Sequence, residues 1–523
     1  MPTAAGSSPT TAPQGTSPRS SPGLVITALA AGFVMATLDV TVVNVAGATV
    51  QERLHTSLTQ LTWIVDGYVL TFASLLMLAG GVAGRVGAKT VYMCGMAVFF
   101  VASLACALAP SAPALITARL VQGIGAALFM PSSLSLLVHA FPDKRERTRT
   151  LGLWSAIVAT SSGVGPAVGG LMVSGFGWRS IFLLNLPIGA AGMLLTRRFV
   201  AGTPRHPARL AAGGHLLGIA VLAALSFALI QGPQLGWGAP AVVASYLVAV
   251  LGAVALGWRE RRAAARVMEW SLFRSAGFSG ANLVGFFFNF ALFGTTFMLG
   301  LYLQHARGAS PFQAGLELLP TTIFFPIANL VYARISSRWS NGILLTAFLV
   351  LAAVASASMT TISASTPYWV LALAVGIANI GAGVISPGMT AALVDAAGPQ
   401  HAHVSGSILN ANRQIGSLVG IAAMGVVLNA TRDWNHGAAV CFALLAAAYL
   451  GAALSAWRLI TPHERDAAAA GVHQGGRRPP RVGGQAADGV GVAESSWSRR
   501  WGTVRTRTAA RAAARAQTAK SQR

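Results

Sequence analysis

Charge is scarce in this chain, and acidic residues are scarcest. Only 10% of its 523 residues are charged, and 14 of these are aspartate or glutamate, whereas soluble domains carry about 25% charged residues. Apolar residues make up 54%. Apolar segments of about 20 residues, each long enough to cross about 30 Å of hydrocarbon, recur from Leu24 almost to Ile460. This composition excludes a soluble enzyme and indicates an all-α polytopic membrane protein.

Motifs for metal, covalent and nucleotide chemistry are also missing. The three cysteines, Cys94, Cys106 and Cys441, lie in apolar segments without metal-ligand spacing, and His401 and His403 are too isolated to form a metal site. The sequence has no GxxxxGK loop that would cradle phosphate and no nucleotide-binding domain. We therefore expect no enzyme activity, no metal and no cofactor.

The apolar pattern predicts fourteen helices. They are expected near residues 24–46, 61–82, 90–110, 113–140, 149–174, 179–200, 212–231, 238–258, 278–304, 312–333, 342–362, 366–392, 405–428 and 437–460. This predicts a first six-helix half at 23–200, two inserted helices at 201–270 and a second six-helix half at 271–460. A disordered tail at 1–22 precedes them and a basic low-complexity tail at 461–523 follows.

Lysine and arginine are distributed unequally between the loops on the two sides of the membrane. The loops on the side of the termini carry Arg85, Lys89, Lys144, Arg145, Arg147, Arg197, Arg198, Arg205, Arg209, Arg259, Arg261, Arg262, Arg266, Arg334 and Arg338. The other side has little beyond Arg53, Arg179, Arg307 and Arg432. By the positive-inside rule, both termini are cytoplasmic in the cell membrane. Topology and the basic tail, which is either solvated or in contact with anionic lipid, account for the net charge of +23 without nucleic acid binding.

Charged residues at membrane depth are costly and are functional by default. Asp39 is the first candidate for proton binding, although it could instead be permanently paired with Arg119 in the segment LITARLVQGIGAA. Asp66 follows Trp63 by three residues, where the two could receive a lipophilic cation or could lie at the interface. Glu317 precedes Pro320 by one turn, so it could line the cavity or lie at its outer mouth.

Two further features of the second half are candidates for binding a ligand. Arg413 could neutralise a carboxylate or an anionic substrate, or could be a structural cap near the cytoplasmic end. Phe286, Phe290, Phe293 and Phe297 share a helical face that could line an apolar pocket, although contact with lipid is the alternative.

The segment from Ser161 to Gly170, SSGVGPAVGG, predicts a bent and closely packed helix. Small residues let membrane helices approach closely, and neighbouring groups satisfy the carbonyl that Pro166 leaves free. The residues expected to form this hinge are Gly163, Gly165, Pro166, Gly169 and Gly170.

These motifs together resemble the major facilitator superfamily, and more narrowly its fourteen-helix drug:proton antiporters of the EmrB/QacA type. LITARLVQGIGAA is similar to the fourth-helix motif, whose arginine is Arg119 here, and GVGPAVGG is similar to the fifth-helix antiporter motif. LDVTVVNVA, WIVDGY, WRSIFLLNLPIG and YLQHARGASPFQAGLELLP, which includes Gln304, are similar to further family patterns. The loop GGVAGRVGAK resembles the gating loop and keeps Arg85, Gly87 and Lys89, with Gly84 at the usual aspartate position.

The resemblance implies a proton-coupled exporter of amphipathic drugs, dyes or antibiotics that works by alternating access, with a proton gradient as the energy source. In this scheme Asp39, Arg119 and Glu317 serve proton coupling, and Gln304 is assigned to the substrate site. The expected partners are a small-molecule substrate and membrane lipid, and a monomer is expected. An exporter of one endogenous metabolite or self-made antibiotic, and a non-transporting membrane sensor or scaffold, are the alternatives.

Overall fold

The computed structural model describes residues 22–466 apart from 204, 206–211, 263–269, 337, 364, 399–401 and 432. The predicted tails at 1–22 and 461–523 lie outside this part except at residues 22 and 461–466. The helices are α1 Pro22–Leu54, α2 Leu58–Val86, α3 Ala88–Leu108, α4 Ala112–Ala140, α5 Lys144–Phe176, α6 Ser180–Leu183, α7 Asn185–Phe199, α8 Ala212–Leu235, α9 Pro240–Arg262, α10 Ala276–His305, α11 Pro311–Glu317, α12 Phe324–Ile335, α13 Asn341–Ala357, α14 Tyr368–Ala397, α15 Ala402–Ala430 and α16 Trp434–Ser455. No strand occurs among the described residues.

Each predicted segment coincides with one helix or with a pair of consecutive helices. Within the described part of the chain, eleven helices are long and apolar enough to cross a membrane. The two pieces of α2, Leu58–Leu76 and Leu78–Val86, meet at 53° and make a twelfth span if they are taken together. The chain is therefore an all-α polytopic membrane protein, and the count of fourteen spans stays a prediction.

The segment predicted as one helix near 312–333 is broken. α11 ends at Glu317, a 3₁₀ turn covers Leu319–Thr321, and α12 begins at Phe324. Pro320 lies within the turn. Because proline has no N–H to donate and clashes with the preceding turn, a continuous α-helix is unfavourable there.

Local sequence signals set several helix ends. Ser57 and Gln60 form a capping box at the start of α2, in which the backbone N–H of Gln60 donates to Ser57 Oγ at 3.2 Å and the N–H of Ser57 donates to Gln60 Oε1 at 3.0 Å. Asp143 caps α5 by accepting from the Glu146 N–H at 2.8 Å. Gly87 separates α2 from α3 with φ of 105°, which glycine adopts without strain.

Helix contacts form two groups. In the first group, α1–α7, α1 packs against α4, α5 and α7, and α4 packs against α2 and α3. In the second group, α10–α16, α10 packs against α14, α15 and α16, and α13 packs against α14 and α16. The groups meet through α2 with α15, α5 with α11, and α1 with α10, while α8 contacts both α2 and α15. Residues from both groups can therefore face one another in the middle of the bundle.

Helix order gives the bundle two distinct ends. We call the end that carries Arg85, Lys89, Arg197 and Arg259 the basic end, and the other the opposite end. Beyond α16, a π-helical turn covers Ala456–Ile460 and the helix runs on to Asp466.

The six residues 461–466, predicted as the start of the tail, belong to the packed bundle. Glu464 Oε2 accepts the backbone N–H of Gly342 at 2.9 Å, in the first turn of α13. A carboxylate is favourable at a helix N-terminus because it satisfies a free N–H and faces the positive end of the helix dipole. The tail therefore begins after Asp466 at the earliest.

Candidate functional site

An ion pair between Asp39 of α1 and Arg119 of α4 lies at the centre of the first group. Both side chains are 1% exposed. Arg119 also donates through Nε to the backbone carbonyl of Ile64 at 2.9 Å, and its guanidinium carbon lies 4.5 Å from the centre of the Tyr68 ring. The guanidinium is thus held by a carboxylate, a carbonyl of α2 and an aromatic face, as a buried charge requires.

Two amides complete the shell of the carboxylate. Gln122 donates to Asp39 Oδ1 at 2.9 Å and accepts from Arg119 at 2.6 Å. Asn185, the first residue of α7, donates to the same oxygen at 3.2 Å. Ser103 Oγ of α3 accepts from Gln122 at 2.9 Å. Side chains of α3, α4 and α7 and a carbonyl of α2 therefore form one hydrogen-bonded network around the carboxylate of α1.

This coupling centre, defined as Asp39, Arg119, Gln122, Asn185 and Ser103, has balanced charge in this conformation. Adding a proton to Asp39 would leave Arg119 buried without a counter-charge, which is strongly unfavourable.

Asp66 is fully buried, at 0% exposure. Neither of its carboxylate oxygens has a hydrogen-bond partner among the residues that the structure describes. Thr62, one turn earlier on the same face of α2, packs against Gly425 of α15. Asp66 therefore lies on the face of α2 that meets the second group. Trp63 is half-buried on the neighbouring face.

Glu317 is not part of the coupling centre. It is the seventh and last residue of α11, a helix that begins with Pro311 at the opposite end. Its Oε1 accepts from Gln313 at 2.7 Å, and its Oε2 is buried without a partner in the described chain. This position matches the outer-mouth alternative better than a site at mid-depth.

The remaining substrate-site candidates lie on α10 and α15. Phe290 is buried, at 8% exposure, and Phe286 and Phe293 are half-buried. Arg413 is half-buried, and its Nε is buried without an acceptor in the described part of the protein. Gln304 donates to the backbone carbonyl of Val45 on α1 at 2.9 Å.

The loop predicted to act as a gate makes its hydrogen bonds within the first group of helices. Lys89 donates to the carbonyls of Val200 at 2.7 Å and Arg197 at 3.2 Å, at the C-terminal end of α7, where the helix dipole favours a cation. Arg85 is exposed at the end of α2. A Cβ on Gly84 would meet no atom within 4 Å. The position therefore has room for the aspartate that the family usually has there.

Glycines let α5 lie against α1. Gly165 faces Thr41 so closely that a Cβ would overlap the threonine hydroxyl, and a Cβ on Gly169 would lie 2.8 Å from Val42 Cγ1. Small residues at these positions are thus required by the packing within the first group.

Other glycines let α5 meet α11 across the two groups. A Cβ on Gly170 would lie 2.6 Å from the carbonyl oxygen of Pro311, and a Cβ on Gly315 would overlap the carbonyl of Pro166. Hydrogen bonds between the groups include Gln304 Nε2 to Val45 O at 2.9 Å, Phe312 N to Ser174 Oγ at 3.0 Å and Thr322 Oγ1 to Gly163 O at 2.9 Å. These contacts close the bundle from mid-depth to the opposite end.

Three members of the coupling centre, Gln122, Asn185 and Ser103, were not predicted from the sequence as site residues. Gln122 and Asn185 are amides within apolar segments, and that signal could have identified them, because polar residues at membrane depth are functional by default. Ser103 gave no such signal, since serine is common where membrane helices pack closely.

Comparisons with known proteins point to one family. The family model described as Major Facilitator Superfamily matches residues 29–421. The chain is 74% identical over 446 residues to the methylenomycin A resistance protein of Streptomyces coelicolor, covering 85% of this chain and 94% of that protein. A protein of the same name from Bacillus subtilis is 47% identical over 445 residues, covering 85% and 96%. The tetracenomycin C resistance and export protein of Streptomyces glaucescens is 32% identical, covering 78% of this chain and 76% of that protein.

One solved structure shares the fold. The crystal structure of an auto-inhibited POT family peptide transporter matches with a TM-score of 0.63, covering 85% of this chain and 96% of that one. The sequence identity of 17% supports a common fold only.

Proposed function

This chain belongs to the Major Facilitator Superfamily and is a transporter, and from that premise we propose that it exports antibiotics from the cell in exchange for protons. The observation that carries the proposal is the coupling centre. Among the described residues of the first group, Asp39 is the acidic residue that is both buried and paired with a buried arginine, Arg119. Such a carboxylate can exchange a proton only when the bundle opens a path to it, and this is what coupling requires.

Alternating access follows from the positions of the contacts. The opposite end is closed by α5 with α11 and by α1 with α10. We assign the opposite end to the outside and the basic end, with both termini, to the cytoplasm, because lysine and arginine favour that side. The described conformation is then the state closed to the outside. Protonation of Asp39 from outside belongs to the alternative state, in which these contacts have opened.

The fourteen-helix architecture of the drug:proton antiporters is part of this proposal. It comprises two six-helix halves at 23–200 and 271–460 with α8 and α9 between them, in the cell membrane. Its support is that every predicted span coincides with a helix or helix pair and that α8 contacts both groups.

Antibiotics are the proposed substrate class because the similar proteins are named for antibiotic resistance and export. The identity of 74% to a methylenomycin A resistance protein favours methylenomycin A as the first compound to test. It also favours the second candidate function, an exporter of one self-made antibiotic, over a broad drug exporter. A wide substrate screen separates these two.

The test uses everted membrane vesicles from an efflux-deficient host. The parent is expected to accumulate methylenomycin A when a proton gradient is imposed and to lose accumulation when a protonophore is added. Asp39→Asn is expected to abolish the proton-dependent uptake. Glu52→Gln is the matched control because Glu52 is an exposed carboxylate on the same helix, and it should transport at the parent rate. Protonophore-sensitive uptake by Asp39→Asn at the parent rate would refute the coupling assignment.

A further inference from the structure

A groove lies between α5 and α7, with α1 as its floor. It consists of two adjoining cavities of about 450 and 420 Å³. The lining of the first includes Thr27, Ala31 and Val34 of α1, Ile157 of α5, and Ala191 and Leu195 of α7. The second shares Val34 and Ile157 and adds Leu38 of α1 with Ser161 and Val164 of α5. Each volume is within the range of about 300–1,000 Å³ that is typical of ligand sites.

The groove faces away from the centre of the bundle. On the other side of α1, the backbone carbonyl of Leu29 accepts a hydrogen bond from Ser133 of α4 at 2.8 Å. Along the groove itself, Thr27, Val164 and Ala191 are exposed. The outer surface of a membrane-spanning bundle lies against lipid, so acyl chains have direct access to the groove.

The walls of the groove suit a hydrocarbon chain. Among the described residues that line it, none is charged, and three carry a hydroxyl group: Thr27, Thr160 and Ser161. The Thr27 hydroxyl donates to the carbonyl of Gly23 at 2.9 Å, and the Ser161 hydroxyl shares a hydrogen bond with Thr37 at 2.7 Å. Thr160 has a partner as well. The groove therefore needs no polar ligand along its length.

The length of the groove matches one leaflet of the membrane. From Thr27 to Leu38 it extends about 16 Å along α1, at 1.5 Å per residue. The hydrocarbon core of a bilayer is about 30 Å thick, so one leaflet contributes about 15 Å. Leu38 directly precedes Asp39, so the groove runs from the basic end to the depth of the coupling centre.

Cations lie at the basic end of the groove. Arg198 follows the lining residue Leu195 by three positions, on the same face of α7, and Arg197 is its neighbour. Both arginines are exposed, and neither forms an ion pair with a carboxylate of the described chain. Lys89 lies at the same helix end, where it donates to the carbonyl of Val200 at 2.7 Å. These cations attract a negatively charged group to the end of an apolar groove.

We infer that the groove binds one acyl chain of an anionic phospholipid from the leaflet at the basic end, with the lipid phosphate at Arg197 and Arg198. A phospholipid combines an apolar chain of one leaflet's length with a negative charge at its end, and a guanidinium binds phosphate through two parallel hydrogen bonds. The tails of the protein are unsuited to the groove. Residues 1–21 contain no leucine, isoleucine, valine or aromatic residue, and residues 467–523 are rich in arginine, which the cations repel.

The experiment is native mass spectrometry of the purified full-length protein, titrated with lipid in detergent to give the dissociation constant of the first bound lipid. The two lipids are dioleoylphosphatidylglycerol, which is anionic, and dioleoylphosphatidylcholine, which has the same chains and no net charge.

The variants separate the chain from the head group. Ala191→Trp fills the groove from an exposed lining position, and Ala191→Leu is a smaller replacement that should act in the same direction. Ala190→Trp is the matched control, because Ala190 is exposed on the same helix and does not line the groove. Arg198→Gln removes a charge at the head group, and Arg458→Gln, at an exposed arginine of the second group, is its control.

The parent is expected to bind phosphatidylglycerol about 5- to 25-fold more tightly than phosphatidylcholine, since each arginine near an anionic head group contributes about 1 kcal/mol, or about 5-fold. Arg198→Gln should weaken binding of phosphatidylglycerol about 5-fold and leave phosphatidylcholine unchanged. Ala191→Trp should weaken binding of both lipids, and Ala191→Leu should do so to a smaller extent. Ala190→Trp and Arg458→Gln should bind both lipids as the parent does.

Three results would overturn the inference. In the first, the parent binds the two lipids equally, or Arg198→Gln binds phosphatidylglycerol as the parent does. In the second, both Ala191 variants bind phosphatidylglycerol as the parent does, or Ala190→Trp loses binding to the same extent as Ala191→Trp. In the third, the protein is a dimer that both Ala191 variants dissociate, which places a second copy of the chain in the groove. The export function is tested separately by uptake into vesicles and does not depend on these results.

Discussion

The ion pair of the coupling centre gives the sharpest prediction, which concerns the free energy of unfolding. Replacing Arg119 with Gln leaves the Asp39 carboxylate buried without its cation, and replacing Asp39 with Asn leaves the guanidinium without its anion. Breaking a buried pair by removing one partner costs about 3–5 kcal/mol, whereas removing both charges is nearly neutral. At about 2–4 °C per kcal/mol, each single variant should melt about 6–20 °C below the parent.

The double variant Asp39→Asn/Arg119→Gln should recover most of that loss. Gln122 and Asn185 remain to hydrogen-bond the new amides, so no charge is left buried without a partner. The assay is thermal unfolding of purified protein in detergent, with the four proteins forming a double-mutant cycle. Transport should nevertheless be lost in all three variants, since no titratable carboxylate remains at the centre or its arginine is gone.

Additive losses in the cycle would refute the reasoning. If the double variant melts at the sum of the two single losses, the two charges do not depend on one another. The same conclusion follows if both single variants melt within about 1 °C of the parent, because an ion pair that is truly buried cannot be broken without measurable cost.

Three further predictions concern the contacts that close the opposite end and the residues that follow α16. Gly315→Ala should insert normally but lose transport, because its Cβ would overlap the backbone carbonyl of Pro166 on α5. Gly84→Ala is the control in the same uptake assay, because a Cβ at that position meets no atom within 4 Å. Gln304→Leu removes a hydrogen bond between α10 and α1 worth about 0.5–1.5 kcal/mol, so cysteine labelling at the opposite end should rise about 2- to 12-fold. Unchanged labelling would contradict a role for this hydrogen bond in keeping that end closed. Truncation after Asp466 should spare the melting temperature and uptake, whereas truncation after Ile460 should lower the melting temperature, because only the shorter chain loses the carboxylate that caps α13.

The helices and several of their ends were predictable because they depend on local patterns. Apolar length alone located every segment, and the capping box at Ser57 and the positive φ of Gly87 show why particular ends fall where they do. The break at Pro320 was within reach of the sequence, since proline cannot continue the helix, but apolar continuity concealed it. The packed residues up to Asp466 were missed because their role depends on Gly342, more than a hundred residues away.

The sequence by itself determined that this chain spans a membrane, that it has deep charges at Asp39, Asp66, Arg119 and Arg413, and that α5 is rich in small residues. Each of these depends on residue type and on the cost of burying charge in hydrocarbon, which need no knowledge of distant contacts. Only the tertiary structure decided how those charges are paired. Asp39 meets Arg119 across 80 residues, whereas Asp66 and Arg413 find no partner among the described residues. Whether a buried charge is compensated depends on which helices lie side by side, and that is set by the packing of the whole bundle.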